Sequence, residues 1–351
     1  MEEFDSDMFR LSSPSDMLAA VPHLLGFYPT ESLVLLALRT VESTLYIGST
    51  WRFDLPCSAH SREFAELLLA GPLVPEETEA VFAVIVTDKP EIHSCESHHG
   101  YPGVNQVSTE DLGALPHAAL AAALCESLQQ CGIVVEQALW TPEIRAEAPW
   151  KCYHDQNHSG TVADPMSSPL AAALAVHGSV TFRSKDEMRE LVAPESDEAV
   201  ASWVAKLDLL HQEAANYDDH DLLTRDLQVV FDAINSIDNG EELTDDDLVR
   251  VLFAVSDKKV RDVSLGTALG GTARSAERLW LSLVRKAPAP EVADVAALLA
   301  YSAYMLGNET LAVIALERVI QSDPDHVLGR LLAFAIFAGI SPDELADIVR
   351  G

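Results

Sequence analysis

The run Ala80–Val86 limits the possible folds of this chain more than any other segment. It reads Ala-Val-Phe-Ala-Val-Ile-Val, with no polar side chain. A strand apolar on both faces is stable only where both faces are covered, so it belongs in the middle of a sheet flanked by helices. Its neighbours fit that role. Leu33–Leu38 is a continuous apolar run of strand length, and Thr44–Phe53 alternates through Leu45, Ile47, Thr50 and Phe53 with Gly48 at a bulge position. Together they predict a hairpin. Ile133–Trp140 and Trp150–Tyr153 read as further strands. Three helices accompany them. Ser13-Pro14 with Asp16 opens one that stops near Pro22, Ser61 caps one through Leu69 before Gly71-Pro72, and Thr109-Glu110-Asp111 opens one that runs to Gln130 and Gly132. This order predicts an α/β sandwich over residues 1–165.

From 166 to 351 the pattern turns helical, with one short strand at Ser179–Phe182, so the fold expected is α+β overall. The turn residues Asp164-Pro165, Ser167-Ser168 and Pro169 mark the joint. Between Asp186 and Asp262 stand 21 acids against 7 Lys and Arg. Asp218-Asp219-His220-Asp221 and Asp245-Asp246-Asp247 both precede helical runs, where acids favour the positive end of the helix dipole. Thr244 and Asp247 have the spacing of a capping box. Over Ala293–His326, Leu299, Gly307, Ala312, Leu316 and Pro324 fall in a tetratricopeptide-like frame, with Val319 where a small residue is usual. No second copy is found, so the segment is an αα-hairpin packed on other helices. Leu298, Leu299, Leu306, Leu311, Ile314, Leu316, Val319, Ile320, Leu328, Leu331, Leu332, Phe334 and Ile336 are expected to bury against Ala276–Val284, with Trp280 at the contact.

Lys plus Arg is 23 and Asp plus Glu is 55, a formal charge of −32. Such a surface repels phosphate backbones and anionic lipid, so neither nucleic acid nor membrane is an expected partner. The charge itself reads as solubility, and a protein partner through the C-terminal helices is the expected kind. The composition does not fix oligomeric state. No stretch reaches the roughly 18 apolar residues of a membrane span; the nearest, Val292–Leu306, holds Asp294. The acidic start Met1-Glu2-Glu3 lacks the basic region of a signal peptide, and five cysteines include no CxxC. A reduced, cytoplasmic protein is expected.

No pattern predicts a metal or cofactor. His154-Asp155-Gln156-Asn157-His158 is one methylene short of HExxH, but Pro149, Ser159 and Gly160 make it a polar loop. His93, Cys95, His98 and His99 with Cys152 fit no ligand frame. Asn235–Gly240 places Ile237 where a calcium loop needs oxygen. Gly266 and Gly270-Gly271-Thr272 lack the GK[ST] of a phosphate loop. The remaining candidate is the Gly26–Ser32 loop. Phe27, Tyr28, Glu31 and Ser32 there could meet a ligand at the sheet edge. The same residues also read structurally: Gly26 ends a helix, Phe27 staples the loop to the core and Pro29 stiffens the turn.

The segment Leu24-Leu25-Gly26-Phe27-Tyr28-Pro29-Thr30-Glu31-Ser32-Leu33-Val34 resembles the signature of an actinobacterial family, domain of unknown function 4192, and the likeness runs along almost the whole chain. In that family the strand at 150–153 is usually followed by a cysteine pair; this chain has Cys152 but lacks the pair. The resemblance implies relatives and no activity. The leading expectation is a non-enzymatic cytoplasmic binding or adaptor protein. The competing one is a hydrolase or nucleotide-handling enzyme at the end of the sheet, near Ser32 or Asp88. Converging carboxylates around a pocket at the sheet end would favour the enzyme. A filled sheet end with an apolar groove on the C-terminal helices would favour the adaptor.

Overall fold

The computed structural model describes residues 13–41, 44–70, 78–89, 115–155, 157–176, 180–215 and 217–350. They form two compact units, Met1–Lys185 and Asp186–Gly351. The first holds α1 (Pro14–Leu25), β1 (Ser32–Val41), β2 (Thr44–Asp54), α2 (Ser61–Ala70), β3 (Ala80–Val86), α3 (Ala118–Gln130), β4 (Val134–Thr141), β5 (Pro149–Cys152), β6 (Ser159–Thr161) and α4 (Pro169–Val176).

One mixed sheet runs in the order β2-β1-β3-β4-β5-β6. β3 lies inside it, antiparallel to β1 and parallel to β4, and all its residues are buried. β1 and β2 form the expected hairpin, and the register slips between Leu36 and Leu38 opposite Gly48 and Ser49, which is the expected bulge. On one face Leu33, Leu35, Val81, Ala83 and Ile85 pack under Ala65 and Leu68 of α2 and Leu120, Leu124 and Leu128 of α3. On the other, Val34, Leu36, Phe82, Val84 and Val86 are equally buried. There α1 contacts β2, and its Ser15 Oγ accepts the Trp150 indole N–H from β5 at 3.1 Å, so α1 crosses that face. The alternation of the strands thus produces two cores, one per face.

Helix ends differ from the sequence expectation. α1 continues past Pro22 to Leu25, because one lost hydrogen bond is outweighed by burial of Val21, Pro22, His23 and Leu25; Gly26, in the left-handed region at φ 79°, ends it. α3 starts at Ala118 after a turn at Pro116-His117, and the proposed opening at Thr109 lies outside the described residues. Ser61 does not cap α2 from outside: a 3-10 turn over Ser58–His60 runs directly into it. Of the short strand at Ser179–Phe182, the described part makes a single bridge between Phe182 and Phe27.

That bridge moves the joint. Residues 164–169 do not separate the units, because the chain on their C-terminal side returns to α1: His23 Nε2 bonds the Pro165 carbonyl and Nδ1 the Thr181 hydroxyl, each at 2.8 Å. Backbone bonds Tyr28 N to Phe182 O and Phe182 N to Gly26 O fix the same segment. The division therefore falls after Lys185.

The second unit carries α5 (Lys185–Arg189, from its second residue), α6 (Asp197–Ala214), α7 (Asp219–Asp238), α8 (Asp245–Val255), α9 (Lys258–Ser264), α10 (Ala273–Val284), α11 (Val292–Met305), α12 (Glu309–Ser322), α13 (Val327–Phe337) and α14 (Pro342–Arg350). Its caps are those the sequence indicated: Asp218 accepts from the backbone N–H groups of His220 and Asp221 in the first turn of α7, and Thr244 and Asp247 form a reciprocal capping box on α8. α11, the stretch that came nearest to membrane-span length in the sequence, is the central helix. Apart from Asp294 it is buried from Val292 to Tyr304 and touches α8, α9, α10, α12, α13 and α14. α11 and α12 make the hairpin, Ala312 is fully buried in it, and Trp280 of α10 is buried beside α11.

Candidate functional site

The loop at 26–32 is built from both ends. Phe27 is buried and held by its bridge to Phe182, while the Tyr28 hydroxyl reaches Met166 Sδ at 3.9 Å. Burial, then the Asp164 carboxylate, raises the Tyr28 pKa above the ordinary phenol value. Beyond the buried Pro29 the chain turns at Glu31, whose φ of 48° is one of three positive values among described non-glycine residues and sends its side chain toward the sheet end. Glu31 Oε1 accepts from the Thr87 hydroxyl at 2.9 Å and lies 4.0 Å from Lys89 Nζ. Ser32 has no exposed surface; its hydroxyl donates to the Thr30 carbonyl at 2.6 Å and accepts from Arg52 Nε at 2.7 Å. Arg52 also pairs with Asp54 at 2.6 Å.

The four proposed loop residues therefore diverge. Phe27 and Tyr28 join the segment that follows β6, and Glu31 and Ser32 close the sheet end with Arg52, Thr87 and Lys89. The Trp140 indole N–H donates to the Thr87 carbonyl at 3.1 Å and completes that closure. A serine nucleophile needs an open approach and a base within hydrogen-bond reach; Ser32 is sealed and its hydrogen bonds are committed to structure. Asp88 is exposed beside the cluster, without a second carboxylate converging on it among the described contacts.

The other sequence candidates are dispersed. His154 and Asp155 lie in the β5–β6 turn, and His158 sets its ring edge-on to Trp150 at 5.1 Å, so the near-HExxH segment is a hairpin end and not a helix. His93, Cys95, His98 and His99 lie outside the described residues, and among the described ones no three His, Cys, Asp or Glu converge as metal ligands. A cleft of about 260 Å³ opens between α2 and α3, lined by Ser58, Ser61, Arg62, Ala119, Ala122 and Glu126. It is smaller than the roughly 300–1,000 Å³ of ordinary ligand sites, and Arg62 and Glu126 on its rim pair with each other at 3.2 Å.

The feature that sequence reasoning missed is on α13. This helix, Val-Leu-Gly-Arg-Leu-Leu-Ala-Phe-Ala-Ile-Phe, is apolar all round except at Arg330. A helix of that kind requires cover on every side. Its inner half obtains it: Gly329, Leu332 and Ala335 are buried, and α13 contacts α11 and α12. Gly329 permits the approach, since a Cβ there would stand 2.5 Å from Val319 Cγ1 of α12. His326 fixes the start. Its Nδ1 accepts the Gly329 N–H at 3.1 Å, which leaves Nε2 to donate to Asp294 Oδ1 at 3.0 Å, and Arg261 donates to the same oxygen at 2.8 Å.

Among the described residues the outer half has no such cover. Val327 is 67 % exposed, Leu331 61 %, Phe334 69 % and Phe337 66 %. At about 100° per residue all four lie within about one third of the helix circumference. The expected burial of Leu331 and Phe334, and of Ile320 on α12, is therefore overturned: one hairpin covers a helix from one side only. The signal was present in the sequence of the helix, where Arg330 is the one polar side chain among Val327–Phe337. Of the other exposed large apolar residues, Leu67, Val134 and Met166 stand apart in the chain, while Val313 and Ile320 lie two turns apart on α12.

No curated protein and no solved structure matches the chain. A family model does, over residues 14–343, which takes in both units. The chain accordingly belongs to the family described as Domain of unknown function (DUF4192).

Proposed function

We propose that this protein is a non-enzymatic binding or adaptor protein that engages a protein partner through the outer face of α13. The observation that carries the reading is the row Val327, Leu331, Phe334 and Phe337, each more than half exposed on one helix. Four such side chains present roughly 450 Å² of apolar surface, within the roughly 300–600 Å² of the largest patch on an ordinary monomer, which is often functional. The sheet end supports the reading indirectly. The competing hydrolase or nucleotide-handling activity needs an open cleft with converging groups, and there Glu31 and Ser32 are bonded to their neighbours. The test is Phe337→p-benzoylphenylalanine photo-crosslinking of the full chain in its native host. One discrete adduct, lost when Phe334→Asp is added, is the expected result. A smear or no adduct at all contradicts the reading.

A further inference from the structure

We infer that the cleft between α2 and α3 is a binding site for a phosphate group carried by a small ligand. The site belongs to the first unit and is independent of α13. Its volume of about 260 Å³ is small for a drug-sized molecule, yet ample for one phosphate and a few waters at about 30 Å³ per water. Ser61 begins α2, lines the cleft and is only 4 % exposed. Its Oγ has no hydrogen-bond partner among the described residues, so the hydroxyl neither caps a helix nor joins a network. A buried hydroxyl in that condition is destabilising unless a group from outside the chain meets it.

A water would satisfy that hydroxyl alone; the surroundings favour an anion. The cleft follows α3 from Ala119 in its first turn through Ala122 to Glu126, and both alanines are exposed, which leaves the approach open. α3 begins without a side-chain cap, because His117 before it stands at φ 56° and makes no capping bond. The first-turn N–H groups, which have no partner within the helix, and the positive end of the helix dipole therefore lie at that end of the cleft. Helix starts of this kind bind phosphate through their backbone N–H groups. Arg62, beside Ser61, supplies a full charge. It is 67 % exposed and donates to Glu126 at 3.2 Å through one nitrogen of its five-donor guanidinium. An exposed pair of that kind holds weakly, so the guanidinium is free to turn to an incoming phosphate. Glu126 is the one acid that lines the cleft among the described residues, and it competes for Arg62. The formal charge of −32 repels anions from the chain as a whole, so the affinity depends on these local donors and free phosphate binds weakly.

Phosphorus NMR of inorganic phosphate with the full chain, at constant ionic strength, tests this. The expected result is saturable line broadening with a Kd on the order of 1 mM. Arg62→Ala and Ser61→Ala should each weaken binding about tenfold, as expected for a lost hydrogen bond to a charged group. Glu126→Gln, which releases Arg62, should tighten it about threefold. Arg145→Ala removes a similarly exposed arginine from the β4–β5 connection and should change nothing. Sulfate, also tetrahedral, should compete with phosphate, and acetate should not. Melting temperatures near the parent's show that the variants fold; if Ser61→Ala does not, Arg62→Ala at its exposed position carries the test. Absence of saturable broadening overturns the proposal, as does equal binding by the parent and Arg62→Ala. A loss in Arg145→Ala as large as in Arg62→Ala overturns it too, and so does acetate that competes as well as sulfate, which would make this a carboxylate site.

Discussion

Gly329 and Val319 show how two residues that are each out of place can fit each other. Val319 occupies a position where helical hairpins of this kind usually carry a small side chain, and Gly329, the third residue of α13, gives up at most about 1 kcal/mol of helix propensity relative to alanine. The glycine supplies the space that the valine takes. Gly329→Ala should therefore destabilise the protein by about 1–2 kcal/mol despite the better propensity, because a β-branched residue in a helix has little rotamer freedom with which to move aside. Val319→Ala in the same chain should recover part of that loss; denaturant unfolding of the parent and the three variants gives the coupling. A second prediction belongs to Tyr301 and Tyr304. Burial pushes both phenols up to about 12, with Glu309 and Glu344 adding to the shift at Tyr304, whose hydroxyl donates to the Ile340 carbonyl at 2.6 Å. A group whose folded pKa is raised loses its contribution as pH climbs from the unfolded value, about 10, to the folded one. Stability should fall between pH 10 and about 12, and less steeply in Tyr304→Phe; equal pH slopes for parent and variant would contradict the assignment.

Among elements, α13 depends on the polar cluster at its start as much as on its apolar contacts. Asp294 is the oxygen to which both Arg261 and His326 donate, so it ties α9 and the cap of α13 to the central helix α11. Asp294→Ala leaves the buried Arg261 with Asp262 alone and releases His326; a loss of about 3 kcal/mol is expected, against about 1 kcal/mol for Thr244→Ala at the cap of α8. Equal losses in urea unfolding would show that the cluster does no more than an ordinary cap. This contrast also separates what the sequence reveals from what it hides. The capping box is local: Thr244 and Asp247 are three residues apart and need nothing else. The run Ala80–Val86 is nearly as plain, because seven apolar residues in a strand have one stable location. Leu331 and Leu332 cannot be told apart in this way. One is exposed and the other buried, and only the position of α11 and α12 decides which. The sheet end is hidden for the same reason, since Arg52 reaches Ser32 across the β1–β2 pairing.

For the whole molecule, the position of the joint has a consequence that can be measured. A fragment ending at residue 165 keeps all six strands but loses Thr181 as a partner of His23 and Phe182 as a partner of Phe27. Residues 1–185 should therefore melt cooperatively and several degrees above residues 1–165, with about 1 kcal/mol for each lost hydrogen bond. Identical melting curves would put the joint back at 164–169. The central claim concerns the other unit, where we propose that the exposed outer side of α13 is a docking surface. Hydroxyl-radical footprinting of the full chain tests it most directly, following Leu331, Phe334 and Phe337 with the buried Leu332 as internal reference. All three should be reactive in the purified chain while Leu332 stays protected. Protection of all three equal to that of Leu332 would mean that the chain itself covers this face and would contradict the account.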